Sequence, residues 1–393
     1  MAHLAMVSIP YPGHVNPSLE LVRALVARGH RVTYVDDVSD DHPNGARIRA
    51  SIEATGAEPK PYTSTLGTWE GDVVDHLTRF QAEYEAMLPQ VRAHYEHDRP
   101  DLFLYDIAGI AARILADAWG VPALQLSPSY VGWEGYAEEM ADFLTGIEAD
   151  PRGRALRARE RAWFAAQGVT TAPLTYLGRP PRSVVLIPPA MQPHLDRVDR
   201  TVHTFVGPLV RPREEAGTWT PPADDVQVLL ISLGSAFTDR PDFYRRCVAA
   251  YGGRPGWHVV LQIGSAVDPA ALGPLPANVE THPWVPQLEI LARADAFLTH
   301  AGMGGSSEGL LTGTPMIAAP QDADQFDNAD RLVEAGVAVR IDSASITVEQ
   351  LRAALDDVST PDALARSREL AADVRAAGGL DAAVAVVESL LTA

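Results

Sequence analysis

The feature that most constrains this chain is a strand–loop–helix–strand pattern that opens the sequence and begins again after a polar break. His3 to Ile9 is a short apolar run suited to a buried strand. Pro10-Tyr11-Pro12-Gly13-His14-Val15 cannot extend it, because its prolines lack donors and its glycine favours a turn. Asn16-Pro17 then reads as a helix start, with Asn as cap and Pro at the first helical position. Leu19, Val22, Leu25 and Val26 form one apolar stripe before Gly29 ends the helix, and Arg31 to Asp36 resumes as a strand. Such an opening places its first loop at the carboxyl edge of a parallel sheet, where ligands bind in doubly wound folds.

Further units follow. Pro100 to Asp106 reads as a buried strand ending in an acid, with a helix from about Ala108 to Trp119 and a strand from Pro122 to Leu126. Ser127 to Gly168 is aromatic, acidic and helix-prone, and Ser183–Ile187 and Val202–Val206 read as short closing strands. The composition then turns to Pro, Arg, Glu and Gly with no sustained apolar period, which predicts a linker. After it come strands at Val226–Ser232, Trp257–Ile263, Ala296–Thr299 and Pro315–Ala319, alternating with helices, and a helical tail from Val348. The expected fold is α/β, with two Rossmann-like doubly wound domains facing across a cleft. Their expected bounds are 1–208 and 226–393, with the linker at 209–225 and the C-terminal helices able to pack back on the first domain.

Composition removes several functions. Net charge is -19, from 51 acids against 32 bases, which argues against general binding to nucleic acid or anionic membranes. The single Cys247 excludes an intrachain disulfide framework or a Cys-cluster metal site, and it is expected to be a packed structural thiol. Lys60 is the only lysine and sits in Pro59-Lys60-Pro61, so there is no Walker A lysine. The abundance of Ala, Arg and Gly beside one lysine points to GC-rich coding and a bacterial source. Met1 to Pro10 lacks a basic n-region, and no run of 18 apolar residues occurs, so a cytoplasmic protein without membrane insertion is expected.

The chemistry concentrates on either side of the strand Ala296–Thr299. His300-Ala301-Gly302-Met303-Gly304-Gly305-Ser306 opens a helix, and glycines there let backbone N–H groups approach an anion favoured by the helix dipole. Alone, this loop reads almost as well as a tight turn. Trp284-Val285-Pro286-Gln287 adds an aromatic plane and an amide that suit a base, although Trp284 by itself would read as a core aromatic. Glu308 could accept from ribose hydroxyls. Pro320-Gln321-Asp322-Ala323-Asp324-Gln325 offers acids and amides for sugar hydroxyls, against the alternative of a solvated polar loop.

Together these pieces resemble a family signature. Trp284-x-Pro286-Gln287, Thr299-His300-Ala301-Gly302, Ser306-x-Glu308-Gly309, Gly313-x-Pro315, Pro320 and Asp324-Gln325-x-x-Asn328 fall in order over 45 residues. They resemble the donor-binding signature of family 1 nucleotide-sugar glycosyltransferases with the GT-B fold. Gly13-His14-Val15-Asn16-Pro17 and Val206-Gly207-Pro208 match as well, and the resemblance covers nearly the whole chain. It is nearest to the bacterial macrolide glycosyltransferases, through Ser232-Leu233-Gly234-Ser235, Leu261-Gln262-Ile263-Gly264 and Met303-Gly304-Gly305-Ser306. The resemblance implies that Trp284 stacks on uracil with Val285 and Gln287 beside the nucleoside, and that Glu308 binds the ribose. It implies that Ser235, His300, Gly302, Gly304, Gly305 and Ser306 hold the diphosphate, and that Asp324 and Gln325 hold the transferred hexose.

His14 lies after the first strand, and a neutral imidazole there could take a proton from an attacking hydroxyl. Asp106 ends another strand at the same edge and could orient it. In the family the matching histidine is the general base and an aspartate its partner. Tyr130, Trp133, Tyr136 and Phe80 are expected to line an apolar acceptor pocket, although each could equally be a packed helix residue. The expected activity is inverting transfer of a hexose, glucose first, from a UDP-sugar to a hydroxyl of a hydrophobic natural product such as a macrolide. The UDP-sugar is a co-substrate, and no cofactor or metal is expected, despite the D-x-D lookalike Asp322-Ala323-Asp324. A nucleotide-sugar epimerase and an inactive activating partner are the alternatives. Intact His14, Asp106, His300 and Gln325 argue against the partner.

Overall fold

Apolar runs on alternating β and α segments can be buried only if the strands run parallel and helices cover both faces of the sheet. The computed structural model describes residues 1–67, 71–211, 219–234 and 237–392, and its chain divides into two compact units. The first comprises Met1–Leu186, His194–Leu209 and Gly378–Ala393; the second comprises Ile187–Pro193 and Val210–Ala377.

In the first unit the order is β1 (His3–Val7), α1 (Pro12–Ala27), β2 (Arg31–Asp36), α2 (Gly45–Glu53), β3 (Glu58–Pro61), α3 (Val73–Tyr95), β4 (Leu102–Asp106), α4 (Ile110–Trp119) and β5 (Ala123–Ser127). Helices α5 (Tyr136–Glu139), α6 (Ala141–Ala149), α7 (Pro151–Ala166) and α8 (Pro173–Gly178) follow, before β6 (Ser183–Val185) and β7 (His203–Phe205). Among the described residues the sheet order is β3-β2-β1-β4-β5-β6-β7, all parallel. Strand period sends alternate residues to opposite faces. Leu4 and Met6 join Leu102, Leu104 and Leu21 in one core, while Ala5 and Val7 join Phe103, Tyr105 and Met87 in the other. The connection from β1 runs to one side and that from β4 to the other, so the topological switch lies between these two strands.

In the second unit the order is β8 (Gln227–Ser232), α9 (Pro241–Tyr251), β9 (Trp257–Gln262), β10 (Val279–His282), α10 (Gln287–Leu291), β11 (Ala296–Thr299), α11 (Met303–Thr312) and β12 (Met316–Ala318). It closes with α12 (Gln325–Glu334), β13 (Ala338–Arg340), α13 (Val348–Val358) and α14 (Pro361–Ala376). The sheet order is β10-β9-β8-β11-β12-β13, again parallel, with the switch between β8 and β11. The last helix, α15 (Gly379–Leu391), belongs to the first unit, where Ala383, Val384 and Val387 are buried against the core that holds Leu21, Val22 and Leu25. Cys247 is buried inside the second core, which pushes its thiol pKa up.

One local expectation changes, and the units are divided at other positions than the expected bounds. Helix α1 begins at Pro12, not at Asn16-Pro17: Pro12 occupies the first helical position, and the Tyr11 carbonyl accepts from His14 and Val15 N–H at 2.9 and 3.0 Å. Pro17 therefore lies inside the helix. Residues 187–193 count with the second unit, inside the span expected for the first domain. Part of the expected linker, 212–218, lies outside the described residues; Trp219, at its far end, is buried and donates its indole N–H to Glu280 Oε1 at 2.7 Å.

Candidate active site

Both switch points carry the residues that the sequence singles out. At the first, α1 starts directly after β1 and puts His14 in its opening turn, while Asp106 is the last residue of β4. His14 Nδ1 lies 2.7 Å from Asp106 Oδ2. Asp106 is 1 % exposed and His14 is 24 % exposed, so one partner is fixed and the other reaches solvent. The backbone N–H of Ala108 donates to the same carboxylate oxygen at 2.9 Å, which holds its orientation. Gly109 makes the tight exit from β4 possible: a Cβ there would stand 2.3 Å from the Val7 carbonyl oxygen. With Nδ1–H donating to Asp106, Nε2 of the ring carries the lone pair.

At the second switch point, β11 passes through His300 and Ala301 into α11. Ala301 adopts φ 60, a left-handed conformation that costs a non-glycine residue about 1–2 kcal/mol. That turn brings Gly302 to the cap, so the N–H groups of Met303, Gly304 and Gly305 head the helix. Ser306 N–H is already bonded to the Gly302 carbonyl at 2.9 Å, so Ser306 can offer only its hydroxyl; that Oγ is buried without a partner among the described residues. His300 is pressed between two glycines. A Cβ at Gly302 would lie 2.4 Å from its Nε2, and one at Gly234 would lie 2.5 Å from its Cε1.

Burial lowers the His300 pKa to about 4, with the Ser232 backbone acting weakly the other way. The imidazole is therefore neutral at pH 7. A neutral His300 can add a hydrogen bond to an anion at this turn, while the helix end supplies the field.

The remaining donor candidates gather on α10 to α12. Trp284 is 46 % exposed and thus not a core aromatic, while its neighbour Val285 is buried. Gln287 Nε2 donates to Glu308 Oε2 at 2.6 Å, tying the start of α10 to α11. Gln325 is buried, and its Oε1 accepts from the N–H groups of Gln321 and Asp322 at 2.9 and 3.3 Å, so its amide nitrogen is the end that can meet a ligand. Exposed Asp324 accepts from Asn328 Nδ2 at 2.9 Å. Ser235 lies outside the described residues.

The four aromatic acceptor candidates fall in different settings. Trp133 and Tyr136 form an edge-on pair at 4.7 Å, and the Trp133 indole donates to Glu139 at 3.1 Å. Tyr136 is 40 % exposed. Phe80 packs beside Tyr84 on α3 against the first unit's core. Tyr130 lies in the segment after β5 and is partly buried. Sequence reasoning missed Glu83, fully buried on α3, which accepts from Tyr62 Oη and from Thr65 N–H and Oγ1, each at 2.7 Å, and so pins the loop before α3. A carboxylate on the apolar stripe of Met87 and Val91 was the available signal.

Two doubly wound parallel sheets, one bearing a His–Asp pair and the other a helix N-terminus at its switch point, define a nucleotide-sugar transferase architecture of the GT-B type. Comparisons place it further. Residues 212–388 match the family described as UDP-glucoronosyl and UDP-glucosyl transferase. The chain is 49% identical to the oleandomycin glycosyltransferase of Streptomyces antibioticus over 400 residues, covering 100% of this chain and 91% of that protein. It is 33% identical to the NDP-glycosyltransferase YjiC of Bacillus licheniformis, covering 99% and 98%. Among solved structures, the glycotransferase of kitacinnamycin superposes with a TM-score of 0.91 at 45% identity, covering 99% and 98% of the two chains. The chain belongs to the family 1 glycosyltransferases, of the antibiotic and natural-product type. No described helix is long and apolar enough to cross a membrane.

Proposed function

We propose that this enzyme transfers glucose from UDP-glucose to a hydroxyl of a macrolide-like acceptor, with inversion and without a metal. The observation that carries the reading is the 2.7 Å contact between His14 Nδ1 and the buried Asp106 carboxylate. Asp106 fixes the tautomer, so Nε2 takes the acceptor's proton as the oxygen attacks the anomeric carbon from the face opposite the diphosphate. Asp106 then stabilises the imidazolium. The first unit supplies the base and the second holds the donor. Charge that develops on the leaving UDP meets the N–H groups that head α11 and a hydrogen bond from neutral His300.

Trp284 stacks on uracil, Glu308 and Gln287 hold the ribose side, and Asp324 with the Gln325 amide holds the hexose. Asp324 and Gln325 present polar groups enough for the full hydroxyl set of glucose, and a deoxysugar would leave some unmatched. The acceptor class is supported by the relative that acts on oleandomycin. One incubation tests the reading: UDP-glucose and a panel of macrolides and other polyketides, followed by mass spectrometry and NMR of the product. A hexose-sized mass gain with a β-linkage is expected. No product with any acceptor, or an α-linkage, would overturn it.

A further inference from the structure

Behind the His–Asp pair lies a buried polar chain to which nothing above assigns a role. Asp36 ends β2, Ser8 follows β1, Tyr34 lies on β2 and Ser18 lies on α1; all four are at most 1 % exposed. Asp36 Oδ2 contacts Ser8 Oγ, which lies 3.1 Å from Tyr34 Oη; that phenol lies 2.8 Å from Ser18 Oγ, and Ser18 Oγ donates to the Val15 carbonyl at 2.9 Å. Val15 directly follows His14 in the first turn of α1.

Hydrogen counting decides the protonation of this chain. Five oxygens make four contacts, and Ser8, Tyr34 and Ser18 carry one hydrogen each. A peptide carbonyl and an ionised carboxylate only accept. If all four contacts are hydrogen bonds, Ser18 uses its hydrogen on Val15, Tyr34 donates to Ser18 and Ser8 donates to Tyr34, the reverse of the donation from Ser8 that an ionised Asp36 would receive. The contact between Ser8 and Asp36 is left without a hydrogen unless the carboxyl provides it. The other oxygen, Oδ1, accepts from Asp37 N–H at 2.7 Å, as the carbonyl oxygen of a neutral acid would.

We propose that Asp36 is held as a neutral carboxylic acid at the head of a one-way hydrogen-bond chain, Asp36–Ser8–Tyr34–Ser18–Val15, and that these are positioning residues for the turn that carries His14. The surroundings agree. Burial pushes the Asp36 pKa up to about 7; Asp37 N–H favours the anion, and so would Ser8 if its hydroxyl turned to donate to the carboxylate instead of to Tyr34. Asp106 on β4 and neighbouring Asp37 push it the same way, and the phenols of Tyr34 and Tyr62 also face it. A neutral Asp36 also keeps a second carboxylate charge away from Asp106. The positioning role rests on the His14 mechanism proposed above; the protonation of Asp36 does not.

Proton release on unfolding tests the chain independently of activity. At about pH 5.5, between an ordinary aspartate pKa of about 3.9 and the raised folded value, the folded protein holds a proton that the unfolded chain gives up. Unfolding the full-length protein in unbuffered guanidinium chloride should release about one proton more than unfolding Asp36→Asn, whose amide can still donate to Ser8. Tyr34→Phe and Ser18→Ala each break the chain and free Ser8 to donate to the carboxylate, so they should also lose that proton.

Equal release from wild type and Asp36→Asn would overturn the neutral acid. Undiminished release from both Tyr34→Phe and Ser18→Ala would show that burial alone holds the proton, and would overturn the chain. With glycosyl transfer as a second readout, both chain-breaking variants should lower kcat about tenfold with UDP affinity unchanged, and Asp36→Asn should keep near-normal kcat. If the proton data hold and kcat does not fall, the positioning role is wrong while the neutral acid stands. The His14 mechanism fails separately, through retained activity in His14→Ala.

Discussion

Trp284 gives the sharpest test at the scale of single residues, because its ring is half exposed while its neighbour Val285 is buried. Trp284→Ala removes a stacking plane without opening the core. Calorimetry should show UDP binding weakened by about 1–3 kcal/mol, the range for base–aromatic stacking, with an unchanged melting temperature. Unchanged affinity would remove Trp284 from the donor site. In the proposed mechanism Asp106 acts through the imidazole, so Asp106→Asn should lower kcat within the roughly 10²–10⁴-fold range of acid–base groups. It should still leave more activity than loss of His14, and adding it to His14→Ala should cost little further, because the two work as a unit. Additive losses in the double variant would contradict that. Residue placement was legible where a motif fixes spacing, as with Gln287 and Glu308, which the structure joins by a hydrogen bond. The neutral state of His300 was not, because its cause is enclosure between Gly234 and Gly302, which are far apart in sequence.

At the scale of elements, the start of α11 separates two glycine roles. A Cβ at Gly302 would strike the His300 ring, whereas Gly304 faces open space. Gly302→Ala should therefore lower the melting temperature, because a packed ring must move. Gly304→Ala should leave it unchanged while weakening UDP binding, because the methyl enters the space proposed for the diphosphate. A Gly304→Ala enzyme with normal UDP affinity would move the phosphate elsewhere.

The loop before α12 carries a second test. Asp322 accepts from its neighbour's N–H at 2.7 Å, and Asp324 accepts from Asn328 while the proposed function gives its remaining capacity to the hexose, so neither carboxylate is assigned to a metal. Chelator treatment should leave turnover unchanged, and loss restored by manganese or magnesium would contradict the metal-free reading. The strands were readable wherever burial on both faces makes a continuous apolar run, as in Leu102 to Asp106. β3 was not, because Glu58-Pro59-Lys60-Pro61 is an edge strand, where charge and proline are tolerated. The start of α1 was misplaced because two prolines, Pro12 and Pro17, both fit the rule for a helix opening.

At the scale of the whole molecule, the chain does not end in the unit that its last third builds. Helix α15 returns to the first unit and buries Val384 and Val387. Deleting residues after Ala377 should remove about 3–6 kcal/mol of apolar burial from that core, at about 1.5–3 kcal/mol per valine, and lower the onset of thermal unfolding. An unchanged onset would mean that α15 does not support the first unit. The single restart of the β-α pattern made the two-unit plan legible, and the C-terminal helices were expected to be able to pack back on the first domain, but the amphipathic pattern alone does not say which of them does.

The proposed function separates chemistry from donor binding, and one comparison tests it most directly: glycosyl transfer and UDP affinity measured on wild type and His14→Ala side by side. Removing the base in the first unit should lower transfer by about 10²–10⁴-fold while UDP, held by the second unit, binds as before. Near-normal transfer by a folded His14→Ala enzyme would contradict the account, because the acceptor hydroxyl would then have another base.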